Sequence, residues 1–140
     1  MDANTTEHVA ADNLTLWGYV VDATLWPDWI DGVERVSPVG HHGPARSGGQ
    51  FEVKATWLPA TTVAIGDVDA DEGLEFHWEG EGAGSFTVHV EEVSHGASVL
   101  RLSISMDDAA AGDTDLEKLL IVSAGRLRQR GENSMLDPVH

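Results

Sequence analysis

The sequence predicts an α+β fold: a curved antiparallel sheet of about seven strands wrapped around one long C-terminal helix, with two short helices after the first strand. Three observations carry this prediction. Between residues 51 and 106, five runs of apolar side chains at every second position are separated by breaks and turns, the mark of a sheet with one dry and one wet face. Two short helical patterns with their own start and stop signals precede that region. One long amphipathic helical pattern follows it, and no other long element is available to cover the dry face.

The elements follow in order. Residues 5–10 read as the first strand. Asp12 and Asn13 are both good N-caps for the helix that follows. Leu14, Trp17, Tyr19, Val20 and Val21 supply its apolar side, with Leu14, Trp17 and Val21 at helical spacing, and Asp22 ends it. Pro27 opens a second short turn of helix, which Gly32 closes. Val33–Val39 reads as a strand, and Pro38 places it at a sheet edge or boundary. Residues 40–49 hold four glycines and Pro44 and form a loop that could act as a lid.

Beyond that loop, Phe51, Val53, Ala55 and Trp57 alternate with Glu52, Lys54 and Thr56. Val63 and Ile65 continue the pattern after a break at residues 58–60. The sets Leu74, Phe76, Trp78; Phe86, Val88, Val90; and Leu100, Leu102, Ile104, Met106 follow the same rule, with glycine-bearing turns at residues 71–73, 80–84 and 94–96. The last helix opens on a capping box, Thr114 as N-cap and Glu117 reaching back. Leu116, Leu119, Leu120, Ser123 and Leu127 share its inner face. Arg126, Arg128 and Arg130 complement the dipole at its end, Gly131 stops it, and residues 132–140 make a loose tail. The 140 residues make one domain, 1–140.

Composition narrows the function. Lys plus Arg number 8 against 24 for Asp plus Glu, a net charge of −16 that repels nucleic acid and anionic lipid. No apolar run approaches the roughly 20 residues of a bilayer span, so neither a nucleic-acid partner nor stable membrane insertion is expected. There is no cysteine, hence no disulfide, thiol nucleophile or thiolate metal site. The polar, acidic start carries no secretory pattern, and a cytoplasmic location is expected. His41 and His42 are adjacent, which rarely brings both to one ion, and no third ligand stands at a telling spacing; no metal site is expected. No phosphate loop, dinucleotide fingerprint or nucleophile elbow occurs, and no cofactor is expected.

One stretch carries a resemblance. Leu16, Trp17, Gly18, Tyr19, Val20, Val21 and Asp22, then Trp26, Pro27, Asp28 and Trp29, then Gly32, Val33, Glu34, Arg35 and Val36 resemble the opening of the START-like (SRPBCC) superfamily. Within it, the match is to the polyketide cyclase/dehydrase and lipid-transport family. Gly48, Gly49, Gln50 and Phe51 are similar to that family's glycine turn before the third strand. The motifs cover about the first third of the chain; the rest agrees in element order and spacing. The resemblance implies a helix-grip fold with an internal cavity between sheet and long helix, and a hydrophobic small-molecule ligand of polyketide, lipid or aromatic type. Aromatase/cyclase members fold poly-β-ketone chains and remove water with polar groups that face the cavity.

Strand parity tests that implication. With Phe51, Val53, Ala55, Trp57, Phe76, Trp78, Phe86, Val88, Val90, Leu100, Leu102 and Ile104 inward, Glu52, Glu75, His77, Glu79, His89 and Arg101 point outward. The expected ligand-binding set is Trp57, Phe76, Trp78, Phe86, Val88, Leu102, Ile104, Leu120 and Ser123. For Trp57 and Trp78, pocket lining and plain core are equally good readings. Such an interior binds by burial but lacks groups that move protons, which favours a binder over an enzyme. Tyr19 and Ser123 are the candidate catalytic groups, against a half-buried packing tyrosine and a serine bonded to its own helix. Asp22 reads as a cap and Arg126 as a solvated cation. Three functions stay open: a hydrophobic-ligand binder, a cyclase/dehydrase-type enzyme, and a co-chaperone-like interaction module, acting as monomer or homodimer.

Overall fold

A computed structural model of the chain describes residues 2–40, 46–57, 62–69, 72–79, 83–106 and 115–136. Seven strands, β1 (Asp2–Val9), β2 (Val33–Val39), β3 (Gln50–Ala55), β4 (Thr62–Asp69), β5 (Gly73–Trp78), β6 (Gly84–Ser94) and β7 (Ala97–Met106), form one curved antiparallel sheet. Helix α1 (Asn13–Val21), a 3-10 turn (Ala23–Leu25) and the short helix α2 (Trp26–Trp29) lie between β1 and β2, and the long helix α3 (Leu116–Leu136) follows β7.

The strand order is β1-β7-β6-β5-β4-β3-β2. Strands β2 to β7 therefore form a meander, and α1 and α2 carry the chain from one sheet edge to the other. Pro38 sits in edge strand β2, where a missing N–H interrupts no inner ladder. The inward positions of β3, β5, β6 and β7 are buried as their alternation requires, except Ala55 at the end of β3, which is partly buried, while Glu52, Glu79 and Arg101 are exposed on the outer face. Helix α3 contributes Leu116, Leu119, Leu120, Ala124 and Leu127 to the core and packs on β1, β7, α1 and α2. No helix among the described residues is long and apolar enough to cross a membrane.

Local chemistry explains the element ends. Asp12 caps α1: its carboxylate accepts the Thr15 N–H at 2.7 Å. Bonds from the Thr15 side chain and backbone hold the Asp12 carboxyl below its ordinary pKa. Gly32, at φ +81°, makes the turn into β2; a Cβ there would run into Thr56 and the Trp57 ring.

Several expectations are corrected. The first strand is Asp2–Val9 rather than residues 5–10. In α1 the buried set is Leu16, Trp17 and Val20, while Leu14 is 61% exposed. Tyr19 and Val21 pack partly buried against the core, and Leu16 takes the inner place that Leu14 does not, against Gly131 of α3, where no side chain stands in its way. At the start of α3 the Asp115 carboxylate accepts the Lys118 N–H at 3.0 Å; Thr114, the expected N-cap, lies outside the described residues. Gly131 does not stop α3: it is buried within it, and a Cβ there would come within 2.6 Å of Leu16 Cδ2. The helix runs on to Leu136, so residues 132–136 of the expected tail are helical and no arginine lies in the last turn. His41, His42 and the tip of the expected lid lie outside the described residues, whereas Gly48 and Gly49 hydrogen-bond the backbone of Ile65.

Candidate functional site

The dry face carries a cluster of seven aromatic residues from four elements and one strand end. Phe51 comes from β3, Phe76 and Trp78 from β5, Phe86 from β6, Trp26 and Trp29 from α2, and Trp57 stands just beyond β3; none exceeds 5% exposure. Trp26 stacks on Phe76 with centroids 4.8 Å apart, and Phe76 stacks on Phe86 at 5.1 Å and 9°. Phe86 in turn lies against Trp57 at 6.2 Å and 24°, so the four rings form a continuous run. Trp78 meets Trp57 edge-on at 5.9 Å. Trp26 is thus part of the central stack.

Three indole N–H groups are committed to backbone carbonyls. Trp26 donates to Val20 at 2.9 Å, Trp29 to Tyr19 at 3.1 Å and Trp57 to Asp31 at 2.8 Å. Hydrogen bonding therefore fixes the ring planes and leaves their faces for apolar contact.

Antiparallel order gathers one end of this interior. Trp57 follows β3, Trp78 ends β5, Gly84 opens β6 and Met106 ends β7, so all four stand at the same sheet end. Gly84 lies beneath the Trp78 ring and beside the Ser105 carbonyl, where a Cβ has no room. Helix α3 runs from this end to the other. Its Ser123 touches Asp31 next to Trp57, Arg128 pairs with Glu7 at 2.6 Å, and Glu132 accepts the Ala10 N–H at 2.9 Å.

Asp31 ties the junction together. Its N–H donates to Ser123 Oγ at 2.8 Å, its carbonyl accepts from Trp57, and its carboxylate pairs with Arg126 at 3.3 Å. Ser123, fully buried, also donates to the Leu119 carbonyl at 2.7 Å. Its one proton and an acceptor lone pair are thereby occupied. Arg126 is a half-exposed partner of Asp31, and Asp22 caps the 3-10 turn through Thr24.

The two candidate catalytic groups are not brought together. Tyr19 Oη lies 2.8 Å from Ser134 Oγ, and Ser134 donates to the Arg130 carbonyl, so the tyrosine is the donor of the pair. Eleven residues along α3 separate Ser134 from Ser123, roughly 16 Å of helix axis. The remaining expected residues, Trp57, Phe76, Trp78, Phe86, Val88, Leu102, Ile104 and Leu120, are all buried on the inner side. Among the described residues the buried polar side chains are Ser98 and Ser123, and neither titrates in the physiological range. Ser98 donates to the Ala11 carbonyl at 2.8 Å. No group of three or more metal-ligating side chains occurs among the described residues. Asp31 and Gly84 are the residues of this sheet end that sequence reasoning misses: the first acts largely through its backbone, and the second is one glycine among several at a turn.

Comparison with known proteins agrees with this architecture. Residues 2–132 match the family described as polyketide cyclase/dehydrase and lipid transport. Among solved structures, the di-domain ARO/CYC BexL from the BE-7585A biosynthetic pathway is similar over 99% of this chain, at 20% identity and a TM-score of 0.66. The chain spans about half of that protein, 48% of its length. A hypothetical protein from Helicobacter pylori aligns over 94% of this chain and 88% of its own, at 11% identity and a TM-score of 0.76. A norcoclaurine synthase point mutant from Thalictrum flavum, in complex with a transition-state analogue, aligns over 96% of both chains at 16% identity and a TM-score of 0.66. No curated protein matches the sequence. At these identities the structural likeness establishes the shared helix-grip architecture, and the sequence match over residues 2–132 establishes that the chain belongs to the polyketide cyclase/dehydrase and lipid transport family.

Proposed function

We propose that the protein binds a hydrophobic small molecule of polyketide, lipid or aromatic type between the sheet and α3, at the end marked by Trp57 and Trp78. The observation that carries this reading is the run of stacked rings Trp26, Phe76, Phe86 and Trp57 on a dry face with no buried titratable side chain among the described residues. Such a surface gains by burial and ring stacking, and it discriminates by shape. Family membership and the likeness to an ARO/CYC protein support the same ligand class.

A dehydrating cyclase needs an acid or base within hydrogen-bond reach of its substrate. The described interior offers Ser123, already bonded at both its proton and its oxygen, and Tyr19 faces Ser134. Binding is therefore preferred to turnover. An interaction module would carry a contiguous apolar patch. Among the described residues the large exposed apolar side chains Leu14, Val39, Val93 and Ile121 lie on four different elements. In this reading Trp57 and Trp78 part to admit the ligand, while Phe76, Phe86, Val88, Leu102, Ile104 and Leu120 form the wall behind them.

Native mass spectrometry of protein purified from its own host, with identification of released small molecules, tests the proposal. A defined hydrophobic adduct is expected, reduced in Trp57→Ala and Trp78→Ala proteins that retain their circular dichroism. A parallel titration with a naphthalene-type dye should quench tryptophan emission saturably. No adduct together with no saturable quenching overturns the reading.

A further inference from the structure

The three arginines of residues 126–130 are three of only eight cations in a chain of net charge −16. Because α3 continues to Leu136, its C-terminal dipole does not account for them. Arg128 is matched by Glu7 and Glu132, and Arg126 by Asp31. Arg130 is exposed and has no ion pair among the described residues.

Arg126, Gln129, Arg130 and Asn133 stand at i, i+3, i+4 and i+7, which places them on one helical face. They line a surface depression of about 370 Å³ between α3 and α2, with Asp28 of α2 in its wall. All four helix side chains are hydrogen-bond donors, and two are guanidinium forks suited to planar or tetrahedral oxyanions. Asp28 contributes a carboxylate to the wall, an acceptor for a ligand hydroxyl or ammonium group.

We infer that this depression is a binding site for an oxyanion, the phosphate or carboxylate of a small ligand, with Arg130 as its principal contact. Arg126 is shared between the anion and Asp31, and Gln129 and Asn133 supply neutral donors. The site lies on the outer side of α3 and is independent of the apolar interior proposed above.

The test uses the full chain, ¹⁵N-labelled, titrated separately with inorganic phosphate and with succinate at constant ionic strength. Saturable amide shifts confined to residues 126–133 and to Asp28 are expected, with a dissociation constant of roughly millimolar size, as suits a solvent-exposed charge pair. The tighter of the two probes names the oxyanion. Arg130→Ala should weaken binding about tenfold or more, and Arg130→Lys by less, since it keeps the charge and loses the fork. Arg35→Ala, at an exposed arginine of β2, should leave it unchanged. Linear, unsaturated shifts, or equal losses in the Arg35 and Arg130 variants, mean an adventitious ion only and overturn the inference. So does full binding by Arg130→Ala.

Discussion

Asp31 holds three neighbours from one position, and Ser123 is its least replaceable partner. In Ser123→Ala the Asp31 N–H loses its acceptor beside the core, which costs about 1–3 kcal/mol. The urea midpoint should fall, and tryptophan emission should shift to the red as the Trp57–Asp31 bond loosens. Asp12 acts at the other end of the dry face. Asp12→Ala removes the α1 cap and should cost about 1 kcal/mol at neutral pH. The Asp12 carboxyl is held below its ordinary pKa by the Thr15 bonds. Its stabilisation is therefore fully present above the unfolded-state value and is lost as pH falls through the folded-state value. Urea unfolding at pH 7 and pH 3 should show the difference between wild type and Asp12→Ala shrinking in acid. Asp12 was legible as a cap because capping is a property of side-chain type. The linkage through Asp31 was not legible, because two of its three bonds use main-chain groups that every position possesses.

Two glycines of α3 separate intrinsic helix preference from packing. A methyl group added at Gly125 would meet nothing within 4 Å, so Gly125→Ala should raise stability by about 0.5–1 kcal/mol. At Gly131 the same gain meets the fully buried Leu16 side chain at 2.6 Å. Gly131→Ala should be destabilising by about 1 kcal/mol or more, because α1 and α3 must move apart. Thermal melts of the two variants should shift in opposite directions. The pair also shows where element-level reading succeeds. Period-two alternation from Phe51 to Met106 was legible, because a sheet buried on one face imposes it strictly. The stop of α3 was misread, because a glycine that ends a helix and a glycine that admits a neighbouring helix look identical in one chain. Of the apolar side expected for α1, Trp17 and Val20 are buried and Tyr19 and Val21 pack on the core; Leu14 faces out and Leu16 faces in for a related reason, since the partner of Leu16, Gly131, lies near the far end of the chain.

At the scale of the whole molecule, a charge of −16 opposes compaction. Ion pairs such as Lys54–Glu34 and Arg101–Glu91 are exposed and contribute little. Added salt therefore screens repulsion more than it weakens attraction, and the melting temperature should rise by a few degrees, about 2–5 °C, between low and roughly half-molar sodium chloride. A fall on adding salt would mean that the pairs outweigh the repulsion. The acidity and the dry inner face were both legible in composition and parity; the identity of the ligand proposed for the interior was not, since apolar walls specify shape and little else. The strand order has a further consequence in time. Strand β1 is the first element of the chain, yet its ladder partner is β7, with Asp2 opposite Ser105 and Val9 opposite Ser98. The β2–β7 meander assembles from neighbours in sequence, whereas β1 waits for a loop of about a hundred residues to close. In pulse-labelling hydrogen exchange during refolding, the amides of Thr5 to Val9 should gain protection in the last phase, after those of β5 and β6.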